Sequence, residues 1–155
     1  MLHDMLRRIL RNMDLSENEI DESIYDAMLL SVDVAHALHP NKKEKMDITN
    51  KPVMGKGFCI KQACSQSYAT DAQAIAILCQ LCDEKGIPYQ RFVNRSDSRG
   101  GSTLGSIAGT LLPVKTVDIG IPILAMHSAC ELMGVRDMKA LSDCVTVFSG
   151  TINGR

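Results

Sequence analysis

A chain of 155 residues is about one domain of polypeptide, and 45% apolar with 23% charged residues supplies a hydrophobic core and excludes a disordered protein. The formal net charge of −1 leaves no positive field for counterion-release binding to nucleic acid. No apolar stretch approaches the roughly 20 residues of a membrane helix, and Arg7, Arg8 and Arg11 interrupt any signal-peptide core, so the reading is a cytoplasmic protein.

The chain opens in a helix, because Leu2, Met5, Leu6, Ile9, Leu10 and Met13 follow one helical face. No Ser, Thr, Asp or Asn precedes them as an N-cap, as expected if Met1 is an internal methionine of a longer protein. Asp14-Leu15 breaks the pattern, and Ser16 with Glu19 has the spacing of a capping box that opens a second helix through about Asp26. Ala27 to Val34 is a nearly continuous apolar run, the pattern of a strand buried on both faces, with Asp33 at its C-terminal end. Asn41 to Gly57 is a polar, lysine-rich loop, in which Lys42-Lys43-Glu44-Lys45 is a solvated run of mixed sign. Phe58 to Lys61 predicts a short strand. Thr70 or Asp71 caps a helix to Lys85, with Gly86 as its terminator and Pro88 just beyond.

Tyr89 to Asn94 predicts a strand, followed by a Ser-Asp-Ser-Arg-Gly-Gly loop and a helix from about Thr103 to Leu112. Val114 to Ile119 predicts another strand, after which Pro122 precedes a short apolar approach to His127. Asp137 is expected to cap a last helix with Met138, Leu141, Val145 and Phe148 on one face. Strands alternating with helices predict an α/β fold with a mainly parallel sheet flanked by helices. Ligands of such sheets bind outside the carboxyl ends of the strands, where Asp33, the glycine loop and His127 are expected.

Six cysteines without a signal peptide argue for reduced thiols. Cys79 and Cys82 form a C-x-x-C with Cys59 and Cys64 upstream, a conceivable zinc site. The better reading is apolar packing, since Cys79 and Cys82 share a helical face with Ala72, Ile75 and Ala76. From spacing alone, Asp33-x-x-His36-x-x-His39 is a moderate metal signal, and a capping acid with two hydrogen-bonded loop histidines is the simpler reading. His127 alone is weaker still. Gly100 to Gly105 opens a helix and could pass for an anion cradle, but it lacks the Gly-Lys-Ser/Thr ending of a nucleotide loop. Nor does Ser102 lie in a Gly-x-Ser-x-Gly elbow.

Several segments in order carry a resemblance. They are SVDVAHALHPN (Ser31 to Asn41), IKQACSQSYAT (Ile60 to Thr70), NRSDSRGGSTLGSIAG (Asn94 to Gly109) and TVDIGIPILAMHSACE (Thr116 to Glu131). Together they cover nearly the whole chain and resemble the aspartyl aminopeptidase family, co-catalytic two-metal exopeptidases. The resemblance implies that Asp33 ligates one metal ion and His127 the other. It implies that Lys61 and Tyr68 reach the substrate, and that Lys61 pairs with an acidic side chain or carboxylate; apart from it, Lys61 would be a solvated strand-end lysine. His36 and His39 would bind substrate or stabilise the tetrahedral intermediate. Gly101 and Met126 would line the substrate site, the glycine by close backbone approach.

The same resemblance implies two divalent ions, zinc with cobalt or manganese as alternatives, peptide substrates with acidic N-termini, and homo-oligomers. It places the first histidine, the bridging aspartate, the glutamate pair that holds the general base, and an inserted dimerisation domain upstream of the matched region. The chain contains no Glu-Glu pair. Residues 1–155 are therefore expected to be the C-terminal portion of a metallo-aminopeptidase catalytic domain, inactive alone. The competing expectations are a non-catalytic remnant, an interaction subunit, or a small zinc module on the cysteines. Two departures from the family stand out: Lys42 follows His-Pro-Asn where an aromatic is often found, and Arg99-Gly100 replaces Pro-Cys or Pro-Gly.

Overall fold

In the computed structural model, residues 1–98 and 100–152 are described, without the side chains of residues 151 and 152. Arg99 lies outside the described residues. Helix α1 (Leu2–Arg11) has no side-chain cap, and Asp14 turns the chain with a φ of 59°. Helix α2 (Glu17–Asp26) begins at Ser16 with both halves of the capping box formed. Ile20 and Ile24 of α2 pack with Leu6 and Leu10 of α1 and with Leu112. Arg7 reaches Asp21 and Glu17, and Arg11 Nε donates to Glu17 at 2.8 Å, which ties the two helices outside their apolar contact. Only part of the predicted apolar stripe is covered: Leu2, Met5, Ile9 and Met13 remain exposed.

Five strands form one sheet: β1 (Met28–His36), β2 (Phe58–Gln62), β3 (Tyr89–Val93), β4 (Lys115–Leu124) and β5 (Leu132–Met133). Their order is β1-β4-β2-β3, with β5 beside β4. The pairs β1–β4 and β2–β3 are parallel, and β2 joins β4 antiparallel. Helix α3 (Ala72–Lys85), helix α4 (Leu104–Leu111) and helix α5 (Val135–Ile152) flank it, so the expected α/β architecture is present. Asp71 caps α3 by accepting from Ala74 N–H at 2.8 Å, and Gly86 closes it in the left-handed region at φ 65°.

Because successive residues of a strand face opposite sides, the pairing register divides the sheet into two chemically different faces. On one, Phe58, Ile60, Val117, Ile119, Ile121 and Ile123 pack with Leu78 and Cys82 of α3 and Leu141 and Cys144 of α5. On the other, the register lines up Asp33 with Gly120 and Cys59, and Ser31 with Asp118, Lys61 and Phe92. That second face holds the polar residues, and α4 packs over it.

Three expectations need correction. The run Ala27 to Val34 is not buried on both faces: among the described residues β1 pairs only with β4, and Val32 is 49% exposed. An apolar run reports the burial that a strand seeks, not the neighbours present to supply it. Strand β4 does not stop at Ile119 but continues through Pro122. Ile123 C=O accepts from Ala37 N–H at 2.9 Å. The alternate residue Pro122 therefore turns its nitrogen to the other edge, past the last β2 pair at Gly120, where no ladder donor is needed.

Asp137 is not an N-cap either. It sits in the first turn of α5, wholly buried, and its carboxylate accepts from Gly55 N–H and Gly57 N–H at 2.7 Å each. It latches the loop before β2 to the last helix, while Met138 remains 47% exposed. Replacing Asp137 by Ala strands two amides in a buried position, and each charge-assisted bond is worth about 1.5–3 kcal/mol. Asp137→Ala should lower unfolding free energy by about 3 kcal/mol, read from the urea midpoint, whereas Asp143→Ala, which loses only an exposed pair with Lys139, should cost less than about 1 kcal/mol. Equal midpoints for the two variants would refute the latch.

Candidate active site

The second face of the sheet brings most of the sequence-selected residues together. Lys61 is 2% exposed, so it is not a solvated strand-end lysine. Its ammonium donates to Val34 C=O at 3.0 Å and to Asp33 Oδ2 at 3.3 Å, and lies 4.7 Å from the centroid of the Tyr68 ring. Burying an ammonium is costly unless acceptors replace its water, and these contacts supply that replacement from β1 and the loop that carries Tyr68. Asp33 keeps a half-exposed side chain while it holds the lysine.

Tyr68 is buried against Phe92, with ring centroids 6.2 Å apart, and its hydroxyl accepts from Asn94 Nδ2 at 3.1 Å. Burial pushes the Tyr68 phenol pKa up; the bond from Asn94 opposes this, and the charges of Asp118 and Asp33 add to it. The phenol therefore stays protonated at neutral pH. The His36 ring lies 6.4 Å from Phe92, and its pKa is lowered first by burial, then by the charges of His127 and Lys61.

Beyond the end of β4, Ala125 and His127 both take positive φ, 58° and 68°, conformations that are uncommon for non-glycine residues. His127 N–H donates to Glu131 Oε1 at 2.5 Å, which holds that turn. A cavity of about 140 Å³ results, lined by Asp33, His36, Lys61 and Tyr68 from one side. Gly101, Met126 and His127 close it from the other. His39 does not share it. That residue lines a wider cavity of about 450 Å³ and accepts from Asn41 N–H through Nδ1 at 3.2 Å. Strands β2 and β3 run opposite to β1 and β4, so their carboxyl ends lie at opposite edges of the sheet. The residues accordingly converge over a face rather than outside one row of carboxyl ends.

Sequence reasoning missed Asp118 and Asn94. Asp118 is wholly buried, accepts from Ala69 N–H through Oδ2 at 2.8 Å, and donates its own N–H to Thr70 Oγ1 at 3.0 Å. It thereby fixes the backbone that carries Tyr68. A Cβ on Gly105 would lie 2.7 Å from Asp118 Oδ1, so only glycine lets α4 come this close. A charge inside the apolar run Val117 to Ile123 was the available signal.

Among the described residues, no three His, Cys, Asp or Glu side chains converge closely enough to hold a metal ion. Asp33 and His127 share a cavity, but two donors do not make the roughly three protein ligands of a catalytic metal. The four cysteines of the alternative zinc reading sit apart in chemistry. Cys82 lies in the core with its Sγ 3.9 Å from Cys144 Sγ, and Cys64 is exposed. Cys59 is buried in the second cluster with its thiol pKa pushed up to about 12, mainly by burial. No described helix is long and apolar enough to cross a membrane.

The sequence profile of the family described as aminopeptidase I zinc metalloprotease (M18) matches residues 1–149. A probable M18 family aminopeptidase 2 of Clostridium novyi is 47% identical over 137 residues, covering 88% of this chain and 32% of that protein. Among solved structures, the complex of Ape4 with Nbr1 matches with a TM-score of 0.90 and 33% identity, over 96% of this chain and 28% of the other. The dodecamer of S. cerevisiae mApe1 matches with a TM-score of 0.67 and 27% identity, over 82% and 27% of the two chains. The chain thus spans about a third of the length of the curated relatives it matches.

The His36 environment gives a direct test of the cavity's electrostatics. Its folded-state pKa lies below the ordinary imidazole value of about 6.5, so the neutral ring favours the fold above that pH. This contribution is lost as pH falls through the lowered folded value. An NMR titration should show His36 titrating below free histidine, and Lys61→Met should move it upward by removing a neighbouring positive charge. An unmoved or lowered value in the variant would contradict the arrangement.

Proposed function

The chain belongs to the M18 family of aminopeptidases, and from that premise we propose that it is the C-terminal part of the catalytic domain of a zinc aminopeptidase that removes acidic N-terminal residues from peptides. The observation that carries this reading is the small cavity in which a buried lysine, a half-exposed aspartate, a buried tyrosine and two histidines converge. Lys61 has three ammonium donors, of which two are engaged by Val34 and Asp33. The third is left for the carboxylate of an acidic residue, which would meet the ammonium of a lysine that is only 2% exposed. Tyr68, protonated and oriented by Asn94, donates a hydrogen bond to a substrate oxygen. His36, with its lowered pKa, offers a neutral imidazole beside it, and His39 stands at the mouth of the adjoining cavity. Gly101 and Met126 border the substrate.

Zinc, with cobalt or manganese as alternatives, polarises a carbonyl and lowers the pKa of bound water when a complete site holds it. Asp33 and His127 are the donors this chain would contribute. The remaining ligands and the general base belong, in this reading, to a part of the protein N-terminal to these residues. Six unpaired cysteines suit a reducing, cytoplasmic setting. On this reading the purified chain alone releases no aspartate or glutamate from peptides with added metal. With the upstream region restored, Asp33→Ala and His127→Ala each cost orders of magnitude in activity and weaken metal retention. Lys61→Ala instead keeps the metal content and loses about 10- to 150-fold on glutamyl substrates, the equivalent of about 1.5–3 kcal/mol, with little change on neutral ones. Equal losses on acidic and neutral peptides would remove Lys61 from the specificity role, and full metal and activity in Asp33→Ala would sink the whole assignment.

Self-association is the second part of the proposal. A relative is known as a dodecamer, and this chain exposes Leu104, Ile107 and Leu111 along α4 and Leu2, Met5, Ile9 and Met13 on or just after α1. Exposed apolar surface of this kind drives association. Light scattering of the concentrated chain should detect species larger than a monomer, and a monodisperse monomer would rule this part out.

A further inference from the structure

The wider cavity, of about 450 Å³, meets the small one at His36, Phe92 and Gly101. Its size is that of a ligand site rather than of a packing defect. Among the described residues, the charged members of its wall are Lys42, Lys45, Arg95 and Asp47. Two of these are already spent on structure. Asp47 Oδ1 accepts from both the N–H and hydroxyl of Thr49 and from both the N–H and side-chain amide of Asn50, at 2.8–3.0 Å. Arg95 donates to both carboxylate oxygens of Asp97, at 2.6 and 2.8 Å, and to Glu44 C=O, which straps the lysine-bearing loop to the loop after β3. The other two are less committed. Lys42 has a long, exposed ion pair with Glu44 at 3.9 Å, and Lys45 forms no ion pair among the described residues. An open groove with one loosely paired and one unpaired ammonium group therefore adjoins the candidate site.

We propose that this groove is a subsite for the part of the peptide beyond its first residue, and that it selects peptides carrying carboxylates there. This rests on the reading of the small cavity as the seat of the N-terminal residue. That cavity has room for about one side chain, and the adjoining opening past His36 and Gly101 gives the remainder of a peptide a way out. There it passes Lys42, Lys45 and the strand end at Ile123 to Ala125. The carboxylates can be acidic side chains at the second to fourth positions or the terminus of a short peptide. Both present the same anion to the same ammonium groups. The contacts are exposed, so they act mainly at low ionic strength.

The test uses the whole chain, labelled with ¹⁵N and titrated by NMR with three tetrapeptides that all begin with aspartate. One continues with three alanines and is amidated at its C-terminus. A second has the same sequence with a free C-terminus. The third has alanine and then two glutamates, and is amidated. The expected result is that the glutamate peptide binds about 5- to 10-fold more tightly than the amidated alanine peptide, as two exposed ion pairs would provide. The preference should shrink as salt is added and vanish in Lys42→Gln/Lys45→Gln, whose affinity for the amidated alanine peptide stays unchanged. Lys43→Gln/Lys51→Gln, the same charge change outside the groove, should keep the preference. A gain confined to the free C-terminus would support the groove as a binder of chain ends rather than of acidic side chains. Equal affinity for all three peptides overturns the subsite and leaves the small cavity's reading standing. So does a preference that survives the double substitution. Failure of every peptide to bind overturns the reading of the small cavity and this proposal with it.

Discussion

Strand β4 is buried on both faces, and its two-residue period forces each side chain to one face or the other with no choice in between. Val117, Ile119, Ile121 and Ile123 go to the side covered by α3 and α5, which leaves Thr116, Asp118, Gly120 and Pro122 for the other. That second set makes poor hydrophobic packing. It offers a buried carboxylate, a position without a side chain, and a residue without an N–H. A one-residue slip of β4 against β1 or β2 would bury this set in the apolar core, so the register is strongly specified. The same register brings Lys61 opposite Asp118 and Asp33 opposite Gly120, which creates a polar face inside an otherwise apolar domain.

Polar burial of this kind costs free energy, and the structure shows where the cost is offset. Asp118 holds the segment Ala69-Thr70 by two hydrogen bonds, one from Ala69 N–H to its carboxylate and one from its own N–H to the Thr70 hydroxyl, and two of the Lys61 donors are engaged by Val34 and Asp33. These contacts join β2 to the end of β1 and β4 to the Tyr68 segment, and Gly105 lets the start of α4 close over Asp118. Asp118 Oδ1 and Thr103 Oγ1 are left without partners among the described residues. Unsatisfied buried oxygens are rare in folded proteins; Thr103 lines the candidate cavity and Asp118 lies against Gly105 of α4, close to the place where a functional demand can outweigh stability.

Much of the local structure was legible in the sequence because it is governed by neighbours along the chain. Ser16 with Glu19 gave the start of α2, and Asp71 with Gly86 bounded α3, since caps act within one helical turn. The candidate site was legible through its motifs: Asp33, Lys61, Tyr68, Gly101, Met126 and His127 meet in one cavity together with His36. His39, three residues on, points into a different space, because β1 extends to His36 and the chain then turns at Pro40. What failed depends on contacts remote in sequence. Asp137 looked like a helix cap and is instead a latch to Gly55 and Gly57, and Val32 looked buried yet is half-exposed.

The sequence by itself determined the boundaries of α2 and α3, the alternation of strands with helices, and which side chains to seek in the candidate site, because these rest on periodicity, capping and residue type. Tertiary structure alone decided that β2 enters the sheet antiparallel to β4. No local pattern encodes the direction of a strand relative to one pairing partner nearly 60 residues away in the chain. It also decided that Lys61 is buried while Asp33 stays half-exposed, since burial depends on which neighbours the register brings and not on the residue itself. From that pairing follows the arrangement of the candidate site over a face of the sheet, with a basic groove opening beside it.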